Sequence, residues 1–426
     1  MQHEEKMSAG WSVRELTGKQ FDELSANSAL GGFQQTSAMA RLAASDGADT
    51  QFLGLTDEHG TPVAGAMVAY TKGRFGLEGS IWLGPLCDSA NKEQLTALTV
   101  ALRAAAHKRG AISVACWPAQ VYRLHDSNGE PTENPDNALI DAYVSLGWRH
   151  AGFTRGYASI VNRWNYVKDL DGIADERALL KSYDKRTQWS VKRAASMGVH
   201  VRELDDSELK VFADIEQATA ERRSFEYRGE EYFHRFKKAY GSSAHFMVAE
   251  IHIAEYKADM EAKVDALKAK VDTLKTKIAE RETTRLVRQL GEESRNLAAA
   301  EKRLAEAGAL ARKGDVLPAA ASLFVEHPRE TVYLFSGSVE EYKPFYASAL
   351  IQHYAMLHLC LERGVNRYNF YGIDGVFDDP DDEGRGVLEF KQGFNGYVEE
   401  LPGEFVLPVR PVVYRVKTAL RHLLRH

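Results

Sequence analysis

The sequence predicts an α/β (α+β) protein in which one mixed unit occurs twice, with an antiparallel coiled-coil hairpin inserted in the second copy. Three observations carry this reading. Apolar residues recur in steps of four and three from Met260 to Ile278, and a similar rhythm runs from Leu286 to Ala311, as in the seam of paired helices. Strand-like segments flank that pair, His245–Ile253 before it and Ala321–Glu326 and Thr331–Ser336 after it. The rest of the chain repeats one order of elements in its two halves, and 426 residues are too many for one ordinary core.

In the first half, Gln51–Asp57 and Val63–Thr71 alternate as a strand pair around His59-Gly60. A further strand holds Ser80–Gly84, a helix runs from Lys92 to Lys108, and Ile112–Trp117 is the next strand. In the second half the strands around the hairpin lead to a helix over Tyr342–Arg363 and a strand over Tyr368–Ile373. Each half closes on an aromatic after glycine, Gly147-Trp148 and Gly393-Phe394, leading into a strand. Such an order suggests a duplicated unit with a mixed sheet.

The hairpin seam runs through Met260, Val264, Leu267, Val271, Leu274 and Ile278, then Leu286, Leu290, Leu297, Ala300, Leu304, Ala307 and Ala311, with Glu293 as its one fault. Neither stretch holds a proline, and the polar link Arg281–Arg285 lies between them. A lone helix of this length is marginal in water, so the two should fold back on each other. An insertion at the tip of a strand connection costs little. The expected division is residues 1–165, then 166–253 with 314–404, the arm 254–313, and a return segment with a basic helix over 405–426.

Composition narrows the function. Hydrophobic residues make up 44% and aromatics 10%, enough for buried cores, and the net charge of -6 argues against wholesale coating of nucleic acid. Cys87, Cys116 and Cys360 lie far apart without CxxC spacing or histidine partners, which suits neither a zinc site nor a disulfide framework. The acidic start MQHEEKMSAGW lacks the basic and apolar regions of a signal peptide, and no run of about 18 apolar residues occurs. The expectation is a cytoplasmic protein.

Four stretches carry a family resemblance. They are Phe33-Gln34-Gln35-Thr36, Trp82-Leu83-Gly84-Pro85, the pattern Lys185-Arg186-x5-Lys192-Arg193-Ala194-x3-Gly198-Val199, and the segment from Tyr333 to Glu404 with YLFSGS, RYNFYGIDGVF and GVLEFKQGFNGYVEELPGE. In this order they resemble the Fem family of aminoacyltransferases, which build interpeptide bridges on peptidoglycan precursors. The resemblance covers nearly the whole chain. It implies two GNAT-like acyltransferase domains plus a helical arm. It also implies transfer of an amino acid from aminoacyl-tRNA, as co-substrate, to a stem-peptide amine of lipid II or of the soluble UDP-linked muropeptide.

The same resemblance assigns residues. Lys391, flanked by Phe390 and Phe394 in Phe-Lys-x-x-Phe, is the catalytic position, its cation stabilising the oxyanion formed when the amine attacks the ester. By composition alone, a lysine between aromatics reads as a snorkelling surface residue. Arg223 and Tyr227, with Arg228, stand where the family holds the precursor's diphosphate, and arginine forks suit phosphate oxygens. The family's N-terminal lysine of that clamp is replaced by Arg41, out of register, and Met39 stands where a tryptophan is usual. Gly372 and Gly375 punctuate a loop after a strand end, where a backbone can approach a ligand closely. Lys185, Arg186, Lys192 and Arg193 form basic pairs seven residues apart, candidates for tRNA phosphates. The arm adds 14 Lys/Arg against 11 Asp/Glu over residues 254–313, a small excess that also points to tRNA.

Aminolysis of an activated ester requires no redox or metal cofactor. The acidic run Asp378, Asp379, Asp381, Asp382 and Glu383 lacks calcium-loop spacing and reads as solvated. No histidine–aspartate pair stands out as a base for an amine whose pKa is ~10.4 if it is a lysine. One rival is an acyl-CoA-dependent enzyme, but the nearest pyrophosphate-loop match, Gln51-Phe-Leu-Gly54-Leu-Thr, lies within a predicted strand. A second is a non-catalytic coiled-coil scaffold, disfavoured because the seam closes on itself. After Pro411, Val412, Val416, Ala419, Leu420, Leu423 and Leu424 recur at helical spacing among basic residues, and no acidic residue follows Phe405. That is either a docked terminal helix or one that rests on the inner membrane leaflet.

Overall fold

The computed structural model describes residues 5–6, 10–158, 160–223 and 226–423. Among these, two eight-stranded sheets form. The first runs in the order Glu5–Lys6, Ser12–Glu15, Asp49–Thr56, Pro62–Gly73, Gly76–Ile81, Ser113–Cys116, Phe405–Pro408, Arg149–His150. The second runs Val199–Glu203, Ala244–His252, Val316–His327, Glu330–Ser338, Arg367–Ile373, Trp164–Asp169, Tyr397–Glu400, Arg123–His125. Each sheet has a single parallel pair, Gly76–Ile81 beside Ser113–Cys116 and Glu330–Ser338 beside Arg367–Ile373. A parallel pair needs a crossover. Helix Lys92–Arg109 supplies the first, capped by Asn91 at one end and closed by left-handed Gly110 at the other. The duplicated mixed unit expected from the sequence is therefore present.

The second crossover departs from the single helix expected over Tyr342–Arg363. A 3-10 segment Glu340–Phe345 ends at Tyr346, whose φ is 56°, and the α-helix is confined to Ala347–Ala355. It then widens into a π segment over Met356–Cys360. The buried polar side chains explain why the segment is tied down. Gln352 accepts from the Tyr368 hydroxyl at 2.6 Å, and Thr331 Oγ1 donates to the Leu359 carbonyl at 3.1 Å.

The arm stands as expected. Helices Ile253–Glu280 and Thr284–Leu310 lie between adjacent antiparallel strands, with the Ile253 N–H donating to the Asp315 carbonyl at 3.0 Å where the arm leaves the sheet. Met260, Val264, Val271, Leu274, Ala300 and Ala307 are buried in the seam. Glu293, the fault in the heptads, is also buried, and Lys270 of the facing helix pairs with it, with Asn296 donating at 3.4 Å. A polar pair at one seam position holds helices in register.

The halves exchange strands. Arg123–His125 joins the second sheet, and Phe405–Pro408 returns to the first between Ser113–Cys116 and Arg149–His150. A buried polar cluster sits at this crossing. Glu400 (6% exposed) receives Arg163 (5%) on one oxygen and His125 on the other, the latter at 2.8 Å. The Arg163 guanidinium also donates to the Leu401 carbonyl at 3.0 Å. Removing one member of a buried ion pair leaves the other uncompensated, which costs about 3–5 kcal/mol. Glu400→Ala is therefore expected to shift the urea midpoint downward by that equivalent at unchanged slope. A shift typical of a surface substitution would show that Arg163 finds solvent.

Two of the sequence motifs meet inside the first half. Gln35 is fully buried, donates to the Trp82 carbonyl at 2.8 Å and accepts from the Met67 N–H at 2.9 Å, so it clamps the Gly84-Pro85 turn. Thr36 caps helix Ser37–Ser45 by accepting from the Met39 N–H at 3.2 Å. Phe33 and Gln34 reach the second half, where Tyr240 donates to the Phe33 carbonyl at 2.9 Å and Gln34 to the Tyr371 hydroxyl at 3.4 Å.

Candidate active site

Helix Arg385–Gln392 turns Leu388 and Lys391 inward, three residues apart on one face. Lys391 is only 4% exposed, so it is not the snorkelling residue that composition suggests. Its ammonium donates to the Gly372 carbonyl at 2.6 Å and more weakly to the Tyr371 carbonyl at 3.3 Å. Burial pulls the lysine down to about 7, against the opposing charge of Asp374. An ammonium has three protons. With two on backbone carbonyls, one remains for a ligand.

Those carbonyls are presented by an irregular strand. Pairing of Arg367–Ile373 with Trp164–Asp169 shifts between Asn369 and Gly372, and Tyr371 has φ of 61°. A tyrosine in the left-handed region is strained and held by its surroundings. Here the Tyr371 N–H donates to the Asn369 side chain at 2.8 Å. On its other side this strand pairs with Glu330–Ser338 only at Thr331–Tyr368 and Val332–Asn369. Beyond those residues the two central strands part.

Asp374 follows at the strand end. It is 5% exposed, and its Oδ1 accepts from the Val376 N–H at 3.0 Å. Burial raises its pKa, and a hydrogen bond with the Asp382 carboxyl raises it further. Asp382 thus belongs to the site, a correction to the expectation of a wholly solvated acidic run. Tyr157 lies within electrostatic reach of both Asp374 and Arg223. On helix Leu209–Arg223, Glu216 is 1% exposed and pushed up to about 7 by burial, with Arg228 opposing the shift. Its Oε2 finds no hydrogen-bond partner among the described residues. Asp374 and Glu216 were not singled out by sequence. An aspartate just past a predicted strand was a usable signal for the first, whereas a glutamate within an ordinary amphipathic helix offered none for the second.

The other expected residues divide. Phe390 stacks edge-on against Phe394 at 5.5 Å and packs on the core rather than opening to solvent. Arg223 ends helix Leu209–Arg223 exposed and unpaired among the described residues. Tyr227 packs beside Phe233 at 6.3 Å, and Arg228 lies over the Tyr232 ring at 5.8 Å. Arg41 is committed elsewhere: its guanidinium donates to Ser37 Oγ at 3.1 Å and to the Ala239 carbonyl at 2.8 Å. At Gly372 and Gly375 the protein's own packing already requires glycine. A Cβ at Gly372 would lie 2.0 Å from Asn162 Nδ2, and one at Gly375 would lie 2.5 Å from Trp164 Nε1. Lys185, Arg186 and Lys192 are exposed on helix Lys185–Ala195, and only Arg193 turns into a cleft.

That cleft, of about 430 Å³, lies at the root of the arm, lined by Trp189, Arg193, Tyr256, Arg303 and Tyr346 among others. Trp189 is 53% exposed and meets Tyr346 edge-on at 5.0 Å. Burial, with Arg193 and Arg303 close by, lowers the Lys263 pKa, and none of these three cations has a carboxylate partner among the described residues.

Known proteins share this arrangement of sheets and sequence. The chain is 31% identical over 405 residues to the aminoacyltransferase FemB of Staphylococcus epidermidis (strain ATCC 12228 / FDA PCI 1200), covering 94% of this chain and 95% of that one. It is 27% identical over 421 residues to the aminoacyltransferase FemA of Staphylococcus aureus (strain bovine RF122 / ET3-1), covering 95% and 97%. A crystal structure of FemX superposes with a TM-score of 0.76 at 21% identity, over 95% of this chain and 99% of that one. The protein is accordingly an aminoacyltransferase. It belongs to the FemAB family, whose profile matches residues 16–422.

Proposed function

We propose that the protein transfers an amino acid from aminoacyl-tRNA to the stem-peptide amine of a peptidoglycan precursor, starting or extending the interpeptide bridge. The observation that carries this is Lys391, a buried ammonium with one proton uncommitted at the end of the parted strands. The amine nitrogen attacks the ester carbonyl, Lys391 donates to the oxyanion, and the C–O bond to the tRNA ribose breaks as the amide forms, the departing ribose oxygen receiving from Asp374 the proton that the nitrogen gave up. Asp374 takes the proton that the nitrogen loses, and its raised pKa suits it to that exchange. Arg223 and Arg228 hold the acceptor's diphosphate. The cations and rings at the root of the arm support a tRNA donor, because phosphates and bases need that pairing of charge and aromatic faces.

Two observations speak against the rivals. The segment Gln51–Thr56 pairs on both sides, with Ser12–Glu15 and Pro62–Gly73, so its amides are not free to cradle a CoA pyrophosphate. The arm buries its own seam, so little of it is left to serve as a scaffold. Incubating purified protein with mixed charged tRNAs and with both the lipid-linked and the UDP-linked precursor tests the proposal. Acylated precursor formed only with acyl-CoA, or with neither donor, would refute it.

The acceptor we favour is lipid-linked. Among the described residues no helix is long and apolar enough to cross a membrane. Helix Pro411–Leu423, however, turns Val412 (73% exposed), Val416 and Leu420 outward in one row. Its opposite side is docked through Lys417 to Glu78 and through Tyr414, which lies under the Arg149 guanidinium at 5.3 Å. Each basic side chain near an anionic surface contributes about 1 kcal/mol. The protein is expected to sediment with anionic vesicles at low salt and to stay in solution with neutral ones. Equal behaviour with both vesicles would limit the helix to docking.

A further inference from the structure

We propose a divalent-metal site at the root of the arm, formed by His200, His252 and Glu255. It is independent of the transfer site and of the reading given above. Each of the three offers a ligand atom, and these atoms all lie within 4.8 Å of one another. The Glu255 carboxylate stands between the two rings: His200 Nε2 is 2.7 Å from Oε2 and His252 Nδ1 is 3.7 Å from Oε1, with the ring centroids 4.4 Å apart.

The backbone beneath these side chains is fixed. His200 pairs with Glu250 in the antiparallel ladder of the edge strand Val199–Glu203. The His252 N–H donates to the Gly198 carbonyl at 2.8 Å. Gly198, with φ of 66°, lets the edge strand press on the first turn of the arm; a Cβ there would lie 3.2 Å from the Glu255 Cβ and from the Tyr256 nitrogen. His252 and Glu255 are three residues apart, at the cap and in the first turn of helix Ile253–Glu280, so they share a face. The three side chains themselves are open to solvent and free to close on an ion.

Two imidazoles and a carboxylate favour Zn²⁺, Co²⁺, Ni²⁺ or Cu²⁺ over Mg²⁺ or Ca²⁺. With bonds of about 2.0–2.2 Å to each ligand, the ion takes the place of the His200–Glu255 hydrogen bond, and water completes the shell. The three cysteines are buried and do not compete. Bound metal ties the edge strand to the first turn of the arm.

Tag-free protein titrated with Zn²⁺ by calorimetry, and with Co²⁺ by visible absorption, tests the site. One equivalent is expected to bind, with Co²⁺ giving visible bands, and His200→Ala, His252→Ala and Glu255→Gln should each abolish both signals. His234→Ala is the control, since His234 is an exposed histidine beside Glu230 at 3.6 Å, and it should leave both signals unchanged. Absence of binding, or binding that survives His200→Ala, overturns the site. Amide exchange over residues 253–256 should slow when Zn²⁺ is added, and unchanged exchange overturns the tie between strand and arm.

Discussion

Lys391→Met is expected to lower kcat by about 10²–10³, the usual loss for one oxyanion donor, in a protein that remains folded. Methionine keeps the length of the stem, and the site it would occupy is buried. The effect on stability has a defined sign. In the native protein the lysine titrates at about 7, below its ordinary 10.5, so the unfolded chain holds this proton more tightly. The destabilisation is full below about 7, declines as pH rises, and vanishes above the unfolded value. The variant should therefore melt higher than the wild-type protein near neutrality, with the gap closing toward alkaline pH. In the wild-type protein the same titration should lower kcat above neutrality as the ammonium is lost, and that limb should be absent from the variant. A folded variant with near-normal turnover would remove Lys391 from the chemistry.

Asp374→Asn is expected to lower kcat by about 10²–10⁴, the range of general acid–base catalysis. The amide keeps the shape and can still accept from the Val376 N–H, so the loop should hold. The pH profile distinguishes a base from a structural residue. The Asp374 pKa is raised, so the acid limb of kcat should lie above the ordinary carboxylate range in the wild-type protein. That limb should disappear in Asp374→Asn. It should move downward in Asp382→Asn, where the neighbouring carboxyl no longer adds its negative charge. An acid limb unchanged in Asp374→Asn would assign the base elsewhere, with Glu216 the next carboxyl to test.

The sequence by itself determined the features written in local periodicity. The heptads of the arm, its place between two strands, and the repeated order of hairpin, strand, helix and strand all come from side-chain spacing of 3.5 or 2 residues, which survives without tertiary context. The motif around Lys391 stood out only through the family resemblance, since a lysine between Phe390 and Phe394 reads by itself as a surface residue. Only the tertiary structure decided what surrounds these residues. Sequence could not say that Lys391 is buried, because burial depends on helix Arg385–Gln392 lying beneath the carbonyls of Tyr371 and Gly372. Nor could it show that Gly372 and Gly375 yield space to Asn162 and Trp164, residues some two hundred positions earlier. The exchange of Arg123–His125 and Phe405–Pro408 between the sheets was also hidden, since short strands take their partners from the whole fold and carry too few residues to state a period. At the root of the arm, His200 is far in the chain from His252 and Glu255, and only the ladder between two strands places the three around one point.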